Sequence, residues 1–105
     1  MTGDAPPLEP SDAFWKRVDV FLREADNLAY TDPEGALRQL ELADHLLARL
    51  QTDDPEAGRT RTARRSRCER QRAGALRTLG RLPECLDAAD RALTLAREAE
   101  DRVAE

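Results

Sequence analysis

The sequence predicts an all-α fold: four antiparallel helices arranged as two stacked helix hairpins. Three observations carry that expectation. Charged residues make up 36% of the chain and aromatics only 4%, so Leu and Ala, both strong helix formers, must build the core while Val, Ile and Tyr are scarce. Apolar residues recur at helical spacing in four successive stretches. Helix-start chemistry, a capping side chain followed by Pro and Glu, occurs twice, at Thr31-Asp32-Pro33-Glu34 and Thr52-Asp53-Asp54-Pro55-Glu56. At 105 residues the chain is one domain with an adequate core and little surplus.

Residues 1–10 hold three of the six prolines and no periodicity, so they are expected to be a disordered or extended lead-in to a helical domain over 11–105. Ser11 or Asp12 caps the first helix, and Phe14, Trp15, Val18, Phe21, Leu22, Ala25, Leu28 and Ala29 follow on one face as far as Tyr30. The second helix starts at Thr31 or Asp32, with Glu34 closing a Thr-x-x-Glu box, and buries Ala36, Leu37, Leu40, Ala43, Leu46, Leu47 and Leu50. The turn between these two helices is short, which makes them antiparallel neighbours. The third helix begins near Pro55 or Arg59, passes through the irregular AGRTRTARRSRCERQR, and ends at Leu79. Gly80-Arg81-Leu82 forms a turn, and the fourth helix runs from Pro83 to about Val103. Its inward face is read as Cys85, Leu86, Ala89, Ala92, Leu93, Ala96, Ala99 and Val103.

Residues 73–93, AGALRTLGRLPECLDAADRAL, read as a tight helix pair joined at Gly80. This hairpin resembles a tetratricopeptide repeat: Ala73, Leu76, Gly80, Leu82, Ala89, Ala92 and Leu93 stand where that family favours small or apolar residues. The first hairpin, with TDPEGALRQLELADHLL, in turn looks like the degenerate repeat that often opens bacterial arrays of this kind. Ala36, Leu40 and Ala43 match Cys85, Ala89 and Ala92 in spacing, at an offset of 49 residues. That offset exceeds the family's ~34, and longer second and third helices are the simplest place for the excess. Glu69 stands at the family's aromatic position, Arg72 at a usual leucine and Cys85 at an alanine. The resemblance covers 12–103 and is specific only over 73–93. It implies a non-enzymatic protein-interaction adaptor, whose concave face in the second repeat would show Arg67, Arg70, Gly74 and Arg77.

Charge distribution points the same way. Net charge is −4, yet residues 59–81 hold nine arginines against one glutamate, Glu69, a local +8 that leaves −12 elsewhere. Sixteen arginines against one lysine fit GC-rich coding as well as selection for bidentate contacts. Arg67, Arg70 and Arg77 fall opposite or beside the Leu76/Leu79 stripe. They either grip an acidic partner segment or form a solvated basic face balanced by the rest of the chain. Arg61, Arg65 and Arg72 share the side of Cys68, Leu76 and Leu79. Either their stems lie along the core's edge, or they dock this helix on another chain, a homodimer included.

Other chemistries find little support. The basic run contains no aromatic for base stacking, and the chain is acidic overall, so nucleic acid is a minor alternative. His45, the single histidine, is expected on the exposed side of the second helix. One exposed histidine in a four-helix bundle evokes a phosphotransfer domain, but ADHLLARL lacks the lysine and glycine of that family. Cys68 and Cys85 are read as inward free thiols. Without CxxC spacing no metal site is expected, and no cofactor or catalytic motif is present. No run approaches a membrane span, and MTGDAPPLEP lacks a secretion signal, so the expected compartment is the cytoplasm. A piece of a longer repeat regulator is the remaining alternative.

Overall fold

Caps and prolines set where each helix begins. In the computed structural model, which describes residues 7–104 and side chains from 7 to 100, the helices are α1 (Asp12–Leu28), α2 (Pro33–Arg49), α3 (Pro55–Thr78) and α4 (Leu82–Ala104). Ser11 Oγ accepts from the Phe14 amide at 3.1 Å. Asp32 Oδ1 accepts from the Gly35 amide at 3.0 Å, so Asp32 and not Thr31 is the cap. The Asp54 carboxylate takes the amides of Glu56 and Ala57, each at 3.3 Å. Such caps satisfy amides that the helix itself cannot. Gly35 is tied to this arrangement, because a Cβ there would sit 2.2 Å from Asp32 Oδ2.

The α3–α4 turn has a defined geometry. Gly80 adopts φ +76°, its amide donates to the Arg77 carbonyl at 3.0 Å, and the Arg81 amide donates to the Leu76 carbonyl at 2.9 Å. This is a Schellman stop, and the left-handed residue it needs is a glycine. The Arg81 carbonyl then receives the Cys85 amide at 3.0 Å, so α4 starts immediately.

Each helix packs on its chain neighbour. The antiparallel pairs α1/α2 and α3/α4 are the two hairpins, and α2 on α3 stacks one on the other. The first hairpin holds most of the core: Phe14, Val18, Leu22 and Ala25 meet Ala36, Leu40, Ala43, Leu46 and Leu47, all buried. The expected faces of α1 and α2 are the observed ones, although α1 stops at Leu28 and Tyr30 lies exposed. Leu8 joins Leu50 in an isolated parallel bridge, with Leu8 N to Arg49 O and Gln51 N to Leu8 O both 2.9 Å. The disordered lead-in was expected over 1–10, and residues 1–6 of it lie outside the described residues.

The second hairpin departs from expectation. α4 buries Ala88 and Ala92 and half-buries Cys85, Leu95, Ala96 and Ala99, while Leu86, Ala89 and Leu93 are exposed. The inward stripe is therefore rotated from the leucines toward the alanines. The reason lies in α3, which offers α4 polar groups at close range. The Ser66 hydroxyl donates to the Ala92 carbonyl at 2.9 Å, which brings the two helices together where α4 carries alanines. The matching of Ala36, Leu40 and Ala43 with Cys85, Ala89 and Ala92 loses its middle pair, since Leu40 is buried and Ala89 exposed. Of the two helices expected to carry the extra length, α3 has 24 residues, whereas α2 has 17, the same as α1. Val103 lies among residues whose side chains are not described.

Candidate functional site

The arginines of α3 divide into those tied down within the chain and those that are not. Arg64 reaches Asp19 on α1 with two bonds, Nε to Oδ1 at 2.8 Å and Nη2 to Oδ2 at 3.0 Å, and its guanidinium lies 5.4 Å from the Trp15 ring centre. That bidentate, half-buried geometry fixes α3 against α1. Arg61 Nη1 donates to the Leu50 carbonyl at 3.1 Å, satisfying the end of α2. Arg67 Nε donates to Gln71 Oε1 at 2.9 Å, and Gln71 Nε2 donates to the Leu22 carbonyl at 2.8 Å. Arg72 pairs with both Asp44 and Glu69. Among the described residues, Arg65, Arg70 and Arg77 are exposed and make no ion pair or side-chain hydrogen bond.

The two predicted sets are thus each divided. Of Arg67, Arg70 and Arg77, the last two stand unpaired on the outer face and Arg67 is held at its edge. Of Arg61, Arg65 and Arg72, only Arg65 is left exposed, and the other two serve the chain's own packing. Gly74 lies on this outer face, and a Cβ there would meet nothing within 4 Å, so no close approach depends on it.

Glu69 was legible only as an oddity, the single acid in a basic run. Its side chain is 8% exposed and pairs with Arg72 on one side and Arg91 of α4 on the other. With Asp44 on the far side of Arg72, the ion chain Asp44–Arg72–Glu69–Arg91 links α2, α3 and α4. A buried carboxylate is tolerable only with such partners. Glu69 and Arg72, one turn apart on α3, neutralise each other.

α2 and α4 do not pack on each other, and the space between them is a cleft floored by α3. One end, about 560 Å3, is lined by Asp44, Leu47, Arg61, Arg65, Arg91 and Glu98. The other, about 330 Å3, is bounded by Leu37, Glu41, Arg81, Glu84 and Asp87 among others. Both ends mix the two signs of charge. On the opposite flank of α4, Leu82, Leu86 and Leu93 are 57%, 66% and 51% exposed. Sequence reading placed Leu86 and Leu93 in the core, yet the signal for two faces was present. Leu82-Leu86-Ala89-Leu93 and Cys85-Ala88-Ala92-Leu95-Ala99 are two interleaved apolar series, and only one can face α3.

The remaining reactive groups are quiet. Burial, then the charge and hydrogen bond of Asp44, pushes the Cys68 thiol from 9.0 up to about 12, so it keeps its proton and is a poor nucleophile. Cys68 and Cys85 are both free thiols. His45 is exposed on α2. Among the described residues no group of three or more His, Cys, Asp or Glu is placed to hold a metal ion, and no helix is long and apolar enough to cross a membrane. The fold and surface define a four-helix, two-hairpin protein with an unpaired basic ridge. No protein-family model, curated protein or solved structure matches this chain.

Proposed function

We propose that this chain is a non-enzymatic protein-interaction module, tetratricopeptide-like in layout, that captures an acidic protein segment on the outer face of α3. Arg70 and Arg77 make the contact, with Arg67 at its edge. The observation that carries the reading is the contrast within one helix. Arg61, Arg64, Arg67 and Arg72 each hold a partner inside the chain, whereas Arg70 and Arg77 project from the same helix with no partner among the described residues, in a protein of net charge −4. Guanidinium groups one to two turns apart suit the carboxylates of a protein segment, which they bind bidentately. The kinship with tetratricopeptide repeats draws its support from the two stacked hairpins, while the exposed Ala89 speaks against a close equivalence between them.

The test is a titration of the chain with a labelled Glu/Leu peptide of about 18 residues, long enough to form a helix when bound. Wild type is expected to bind, more weakly as salt rises. Arg70→Glu/Arg77→Glu is expected to lose binding while its helical circular dichroism stays unchanged. Equal binding by that double variant would contradict the assignment.

A further inference from the structure

The flanks of α3 and α4 that turn away from α2 form one surface. Ser66 on Ala92 and Glu69 on Arg91 set the antiparallel register of the hairpin. In that register Arg70 stands level with Ala89 and Asp90, and Arg77 level with Leu82. Residues advance by about 100° along a helix, so Arg59, Arg70 and Arg77 fall within about 20° of one line. That line lies on the flank opposite the one by which Cys68 and Arg72 approach Asp44 of α2. On α4, Glu84, Asp87, Arg91 and Glu98 turn to the cleft beside α2. Leu82, Leu86, Ala89 and Leu93 take the other flank, within a sector of about 60° and over a length of about 16 Å. An exposed leucine stripe on α4 therefore runs alongside the unpaired arginines of α3.

We propose that this α3–α4 face seats an amphipathic helix from a protein partner, with its apolar stripe on Leu82, Leu86, Ala89 and Leu93 and an acidic edge toward Arg70 and Arg77. This deepens the reading given above and rests on it. Two features select the occupant. Apolar residues on four successive turns match the i, i+4, i+7, i+11 anchors by which a helix lies in a groove. Ala89, in the middle of the stripe, lets a second helix approach closely. The arginine edge lacks carboxylates of its own, which calls for acids along one side of the incoming helix. A second copy docked stripe against stripe supplies them poorly: beside its own stripe the exposed Asp90 and Glu100 are interrupted by the exposed Arg97.

The experiment compares two peptides of identical composition, one with leucines in the four-turn stripe and glutamates along one edge, the other with the same residues scrambled. Binding to the full chain is read by anisotropy, beside light scattering of the chain alone. The striped peptide is expected to bind at least about tenfold tighter, as burial of a few anchor side chains implies. Leu86→Gln/Leu93→Gln, which alters neither charge nor core, is expected to erase that preference with helicity retained. If the two peptides bind equally and only Arg70→Glu/Arg77→Glu weakens them, the acidic-segment reading stands and helix docking falls. A dimer of the chain alone that Leu86→Gln/Leu93→Gln converts to monomer would overturn the proposal in favour of a second copy. Binding of neither peptide would overturn both readings.

Discussion

The two hairpins share a topology and differ in what holds them together. The first closes on Phe14, Val18, Leu22, Leu40 and Leu47, large side chains interlocked without ions. The second buries one leucine, Leu76, and is otherwise closed by small or polar residues, Ser66, Cys68, Glu69, Ala75, Ala88 and Ala92. Its leucines Leu82, Leu86 and Leu93 lie outside, and Arg70 and Arg77 stand beside them unpaired. Apolar burial contributes about 25 cal/mol per Å2, so the hairpin that buries the larger side chains gains more from it. What the difference teaches is a division of labour: the first hairpin is the stable platform, and the second presents a surface.

Removing a large side chain from the platform should break the molecule most. Leu40→Ala deletes a fully buried side chain between α1 and α2, and is expected to lower stability by about 2–5 kcal/mol, read from the urea midpoint. A loss under about 1 kcal/mol would show that the first hairpin is not the stabilising half.

Glu69→Ala sharpens the comparison from the other side. It strands Arg72 with Asp44 alone and leaves Arg91, itself more than half exposed, without its partner. A charge-assisted hydrogen bond removed at a buried site costs about 1–3 kcal/mol. The expected loss is therefore smaller than that of Leu40→Ala, and should be nearly the same at low and high salt because the carboxylate is buried. A loss that vanishes in high salt would mark the ion chain as a surface feature.

Sequence reading fared differently in the two halves, for the same physical reason. In α1 and α2 the buried residues are the large apolar ones at three- and four-residue spacing, so periodicity alone locates Val18, Leu22, Leu40 and Leu47. In α4 the rule that leucine goes inside fails, because the neighbour is Ser66 and Glu69 and the helices meet through Ala88 and Ala92. The irregularity of α3 was itself informative: a helix packed on several sides, by polar as well as apolar groups, shows no single apolar stripe. Which of its arginines are tied could not be read, since Arg64 and Asp19 stand 45 residues apart and Arg72 and Asp44 stand 28 apart. A pair at that separation has no local signature. The lone Glu69 was the one visible trace of the network.

The division between platform and surface is tested most directly by native-state hydrogen exchange, with and without the striped acidic peptide. Exchange reports the local opening free energy of each segment. The slowest amides are expected in α1 and α2, around Val18, Leu22, Leu40 and Leu47, with α3 and α4 opening more readily. Peptide should slow exchange in α3 and α4 and leave α1 and α2 nearly unchanged. Equal protection of both hairpins, or slowing centred on α1 and α2, would contradict the account.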